Sequence, residues 1–113
     1  MTVKDWEKIY TTLNGSQVNV YYPHGKPNID TVSPDIVNYR YYTVYKFGDY
    51  KIEYDPGARV SGKNILFLYA NNHIVGSVSY NNISEQITDP QNAKIRDLYI
   101  AVQKKAATQQ KTR

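Results

Sequence analysis

Apolar residues along this chain gather into a few segments with distinct periods. One run, Ile65-Leu66-Phe67-Leu68-Tyr69-Ala70, is apolar without alternation, and Asn71-Asn72 separates it from His73-Ile74-Val75-Gly76-Ser77-Val78. Both asparagines tolerate the positive φ of a two-residue type I′ turn, so the stretch predicts a hairpin. A regular ladder from that turn pairs Ala70 with His73, Tyr69 with Ile74, Leu68 with Val75 and Phe67 with Gly76. Ile65, Phe67, Tyr69, Ile74 and Val78 then share one face, and Leu66, Leu68, Ala70 and Val75 share the other. A strand apolar on both faces belongs in the middle of a fold, covered on both sides.

The rest of the chain supplies elements around that hairpin. Val3, Trp6, Tyr10 and Leu13 recur at helical spacing behind Thr2, an N-cap with Asp5 three positions on. Asn14-Gly15 predicts a left-handed stop. Residues 17–22 alternate through Val18, Val20 and Tyr22 and predict a strand. Pro23, Gly25, Pro27, Asn28 and Pro34 make residues 23–38 mostly loop, with a turn of helix at 34–37. Residues 39–47 predict a second strand, with Tyr39, Tyr41, Thr43, Tyr45 and Phe47 on one face and Arg40, Tyr42, Val44 and Lys46 on the other. Gly48-Asp49 turns the chain, and Tyr50, Ile52 and Tyr54 return opposite Phe47, Tyr45 and Thr43. Residues 55–64 read as a loop. After the central hairpin, Asp89 caps a helix starting at Pro90, and Ile95, Leu98, Tyr99 and Val102 mark its buried stripe.

The expected fold is α+β: an antiparallel sheet of about five strands with two tight hairpins, flanked by an N-terminal and a C-terminal helix. The helices cover opposite faces, or share one face while curvature closes the other. Residues 1–103 form a single domain and residues 104–113 a basic polar tail.

Charge modifies this picture little. The net +4 comes from Lys104, Lys105, Lys111 and Arg113, because the preceding residues hold ten Lys/Arg against ten Asp/Glu. A basic tail on a neutral body is a weaker signal for nucleic acid than a basic stripe across a fold. Cysteine is absent, which excludes disulfide frameworks and thiolate metal sites. With two histidines there is no metal-ligand spacing, and no cofactor or metal is expected. The start of the chain lacks a signal peptide's apolar run, and no segment has the length to span a bilayer; a cytoplasmic location without membrane association is the expectation. Twelve tyrosines against two phenylalanines supply bulk with a polar tip, suited to half-buried sheets and interfaces alike.

Three constellations bear on function. Gly57-Ala58-Arg59-Val60-Ser61-Gly62-Lys63 has P-loop spacing, yet Asn64 replaces the hydroxyl that holds magnesium and a strand follows instead of a helix. It reads as an inter-strand loop whose Arg59 and Lys63 are available to an anion. The face with Tyr39, Tyr41, Tyr45, Phe47, Tyr50 and Tyr54 lacks charge, so it reads as core in preference to a nucleic-acid stacking platform. A metal-free ribonuclease would need a base, an acid and a charge stabiliser; Glu53, Arg59 and His73, with Lys63 and His24, are the possible set, although no spacing brings them together.

The leading expectation is a small non-enzymatic protein that binds a macromolecular partner, most simply another protein, through Arg40, Tyr42, Lys46 and Lys51 and the loop with Arg59 and Lys63. The profile is one shared by accessory and inhibitor proteins of phages and mobile elements, a compositional association. The alternatives are binding of RNA or single-stranded DNA by the basic tail with Arg59, Lys63 and exposed tyrosines, and then the ribonuclease.

Overall fold

A computed structural model describes residues 1–23, 42–55, 63–82 and 85–111. Helix α1 (Val3–Gly15) precedes strands β1 (Asn19–Tyr21), β2 (Thr43–Phe47), β3 (Tyr50–Asp55), β4 (Asn64–Ala70) and β5 (His73–Tyr80), and helix α2 (Pro90–Lys111) follows. The strands form one antiparallel sheet in the order β1-β2-β3-β4-β5. This is the expected α+β arrangement of five strands and two flanking helices. The short helical turn placed at 34–37, Tyr39 to Tyr41 and most of the P-loop-like stretch lie outside the described residues.

Turn chemistry sets both hairpins. Gly48 has φ +56°, and across it Phe47 faces Tyr50, Tyr45 faces Ile52 and Thr43 faces Tyr54, the expected register. Asn71 and Asn72 have φ of 51° and 67°, the two positive values a type I′ turn needs. The two turns are joined, because the Asn71 N–H donates to the Asp49 carbonyl at 2.9 Å.

The β4/β5 ladder departs from the regular pairing. Ala70 faces His73 and Tyr69 faces Ile74, but Leu68 faces Gly76 and Phe67 faces Ser77, leaving Val75 as the extra residue of a bulge. A one-residue slip sends every later side chain to the opposite face. Val78 therefore joins Leu66 and Leu68, not Ile65 and Phe67. The slip buries Val78 and Tyr80 and turns Ser77 and Ser79 outward, the arrangement their polarities favour.

Both helices lie on that Leu66/Leu68 face. Phe47, Ile52, Leu66, Leu68 and Val78 pack in one core with Trp6, Ile9 and Leu13 of α1 and Ile95, Leu98 and Val102 of α2. Tyr45 and Tyr54 belong to the same side: their rings meet that of Tyr99 at 5.8 Å edge-on and 5.5 Å stacked. The described part of the aromatic face, Tyr45, Phe47, Tyr50 and Tyr54, is core, as its lack of charge implied. The central hairpin is thus covered by helices on one face alone, and no described element lies over the other.

The helices run side by side in the same direction. The Met1 ammonium donates to Gln91 Oε1 at 3.0 Å, Lys94 Nζ sits 6.0 Å from the Trp6 ring centroid, and Lys105 Nζ reaches the last carbonyls of α1. Together α2 spans the sheet from β5, where Ile95 lies against Gly76, to β1, where Gln109 binds Val18. Helix α1 starts with the anticipated capping box: the Thr2 N–H donates to Asp5 Oδ2 at 2.7 Å, and the Asp5 N–H to Thr2 Oγ1 at 3.2 Å. Its buried stripe is Trp6, Ile9 and Leu13, with Tyr10 half-buried and Val3 exposed. Gly15 is not the left-handed stop expected of it. The helix includes Gly15 and ends at Ser16 in extended backbone (φ −120°), because Lys105 satisfies the carbonyls that a left-handed glycine motif otherwise would.

Helix α2 begins as anticipated, with Asp89 Oδ1 accepting from the Asn92 N–H at 3.0 Å ahead of Pro90. Helix α2 runs on through Ala106 and Ala107 to Lys111. Ala106 is buried there and Gln109 is hydrogen-bonded to Val18, just before β1.

Candidate functional site: the open face of the sheet

Strand pairing sets three rows of side chains on the face turned away from the helices. Asn19, Lys46, Lys51, Tyr69 and Ile74 are successive neighbours in one row, and Tyr21, Val44, Glu53, Phe67 and Ser77 in the next. Asp55, Ile65 and Ser79 make a third. Of the large apolar residues here, Ile74 is 57% and Tyr21 50% exposed, at opposite edges of the sheet. Phe67, Tyr69 and Ile65 between them are half-buried.

Glu53 organises the middle. Its Oε2 accepts the Tyr42 hydroxyl at 2.5 Å and the Tyr69 hydroxyl at 3.1 Å, while Oε1 lies 3.5 Å from Lys51 Nζ. Lys51 Nζ also stands 4.3 Å from the Tyr69 ring centroid, a cation–π contact. Burial pushes both hydroxyls above the ordinary tyrosine range, and the hydrogen bond to Glu53 and its charge push further in the same direction. Both tyrosines are therefore fixed as neutral donors. Glu53 is left 13% exposed at its side chain, with both oxygens engaged.

One feature of this face works against stability. Lys46 and Lys51 are directly paired across β2 and β3, and like charges so placed repel. Glu53 and the Tyr69 ring offset the charge of Lys51; Lys46 projects as an exposed cation beside them. A local choice that costs stability in an otherwise consistent sheet is where binding surfaces are found.

Of the anticipated binding residues, Tyr42, Lys46 and Lys51 come together here. Lys63 does not join them: it precedes β4, six residues along from Tyr69, about 20 Å away at strand rise. Arg40, Arg59 and His24 lie outside the described residues. Glu53 and His73 fall on opposite faces, since His73 pairs with Ala70 on the helix side. Together with the occupied oxygens of Glu53, this gives the base–acid pair of a ribonuclease no support. In the tail, Lys105 is consumed by α1 and Lys104 is exposed; Lys111 closes α2 and Arg113 lies outside the described residues.

Tyr21, Phe67, Tyr69 and Ile74 were not singled out from the sequence as binding residues. Ser77 and Ser79 alternating with Val78 and Tyr80 carry the missing signal, because they mark one face of β5 as solvated and hence its neighbours as accessible. Among the described residues no three His, Asp or Glu side chains gather as metal ligands. No described helix is long and apolar enough to cross a membrane. Comparison of the chain with protein-family models, with curated proteins and with solved structures gives no match.

Proposed function

We propose that this protein is a non-enzymatic binder of another protein, and that the open sheet face is its contact surface. The observation that carries the reading is the pairing of exposed apolar side chains, Ile74 and Tyr21, with a fixed cluster of Tyr42, Glu53, Tyr69 and Lys51 on one face. Tyrosines held in place lose little conformational freedom on binding and offer both bulk and a polar tip. Lys46, exposed beside the paired Lys51, adds a positive charge that suits a carboxylate on the partner surface. In this reading Glu53 serves as a clamp for the tyrosines, not as a catalytic base.

The test is recovery of partners from lysate with tagged protein, in nuclease-treated and untreated halves, compared with a Lys46→Glu/Lys51→Glu variant. A protein recovered in both halves by the wild type and lost by the folded variant supports the reading. Recovery that disappears with nuclease replaces it with nucleic-acid binding, for which affinity would also fall steeply with salt.

A further inference from the structure

The two edges of the sheet are treated very differently. Strand β1 has three residues, and the neighbouring Val18 is already engaged: its N–H donates to Gln109 Oε1 at 2.8 Å and its carbonyl accepts from Gln109 Nε2 at 3.0 Å. The carboxamide there pairs with Val18 as a peptide group would. Strand β5 has eight residues, His73-Ile74-Val75-Gly76-Ser77-Val78-Ser79-Tyr80, without lysine, arginine, carboxylate or proline. Its outer edge receives no hydrogen bond from any described residue. Charge, proline, shortness and bulges are the devices that keep strand edges from pairing. Strand β5 has only the bulge at Val75, and Gly76 to Tyr80 beyond it are regular.

We propose that β5 is a self-association edge, on which a second copy of this chain pairs β5 with β5 in antiparallel fashion to make a continuous ten-stranded sheet. Three observations select a second copy as occupant. A two-fold axis brings each strand against itself, so any charge near the axis would meet its like; β5 offers none from Ile74 to Tyr80. Pairing about Val78 keeps the faces in phase: Val78 meets Val78 and Gly76 meets Tyr80 on the helix side, and Ser77 meets Ser79 on the open side. That register sets the bulkiest residue of the segment against the smallest. Finally, β1 is only three residues long and Gln109 occupies the backbone groups of Val18 beside it, which disfavours the head-to-tail β5–β1 pairing that would build filaments. Ile74, Ser77 and Ser79 border the open face as well, but the two readings have separate tests, by substitutions on β2 and β3 for the face and on β5 for the edge.

The experiment is sedimentation velocity of the full chain from about 1 to 200 μM, the range of weak to moderate self-association. Wild type is expected to shift from monomer to dimer. Ser77→Lys/Ser79→Lys and Ser77→Glu/Ser79→Glu, substitutions at exposed positions, should each remain monomeric, because they oppose like charges across the axis. An equimolar mixture of the two variants should recover the dimer. Circular dichroism and melting of each variant establish that it is folded. A monomeric wild type at the highest concentration overturns the proposal. So does a dimer that persists in both variants, which would place the contact elsewhere.

Discussion

The Nζ of Lys105 lies 3.2 Å from the carbonyl oxygen of Asn14, 91 residues earlier in the chain. The same ammonium donates to the carbonyls of Leu13 and Ser16. A lysine of α2 is thus the C-terminal cap of α1, placed where the negative end of the α1 dipole concentrates. Lys105→Met keeps the apolar stem and removes the cap. It should cost about 1–2 kcal/mol in urea denaturation, against within about 0.5 kcal/mol for Lys104→Met at an exposed position. Equal effects of the two would mean that the cap contributes nothing.

Gly76 is where α2 comes down on the sheet. A Cβ built there meets Ile95 Cδ1 at 2.7 Å, and Ile95 is fully buried with little space to retreat. Gly76→Ala should destabilise by about 1–3 kcal/mol through overpacking. Ile95→Val, which deletes the offending methyl, should make the second substitution cheaper; thermodynamic coupling near zero in a double-mutant cycle would refute the contact.

Burial and the bond to Glu53 hold the Tyr42 hydroxyl protonated. Burial is the larger cause of the raised hydroxyl pKa and persists without Glu53, so Glu53→Gln should bring Tyr42 part of the way back toward 10. Tyr69 should follow in the same direction. NMR of labelled tyrosine rings through alkaline pH reads this directly, and an unmoved Tyr42 in the variant would contradict the geometry. In the wild type, the raised values favour the folded state below the ordinary tyrosine pKa, and that contribution is lost as pH rises through the folded values.

Asp5 gives the opposite sign. Its bonds to Thr2, first the backbone N–H and then the hydroxyl, hold its carboxyl below the ordinary aspartate value of 3.8. The capping box therefore stabilises α1 above that value and is lost as pH falls through the folded pKa. Asp5→Asn should flatten the acid side of the melting profile between about pH 4 and pH 2 relative to wild type. Identical slopes would show that the box is not formed in solution.

How much of this was legible in the sequence depends on the range of the interaction. Asn71-Asn72, Gly48-Asp49, the Thr2/Asp5 box and Asp89-Pro90 are local signals, and each forms the turn or cap its chemistry requires. The bulge at Val75 is decided by burial of Val78 and Tyr80, which only the assembled core imposes. The ending of α1 went astray for the same reason: Asn14-Gly15 has the composition of a left-handed stop, and Lys105 makes it unnecessary. Tyr42, Lys46 and Lys51 could be placed on one face by counting along two strands. Their arrangement around Glu53 with Tyr69 needed the register of a third strand.

The reach of α2 across the sheet has a consequence for how the protein is made. Synthesis delivers α1 first, yet the Gln91, Lys105 and Gln109 partners of Met1, Asn14 and Val18 are translated 90 or 91 residues later. Until then α1 is a 13-residue helix with unsatisfied carbonyls and an apolar stripe that lacks much of its packing, too short to persist alone in water. A nascent chain released before residue 105 would carry all five strands but no closed core. Folding of this domain therefore follows emergence of α2 from the ribosome, and nonsense mutations before residue 105 should yield chains for the proteases, not partly active fragments.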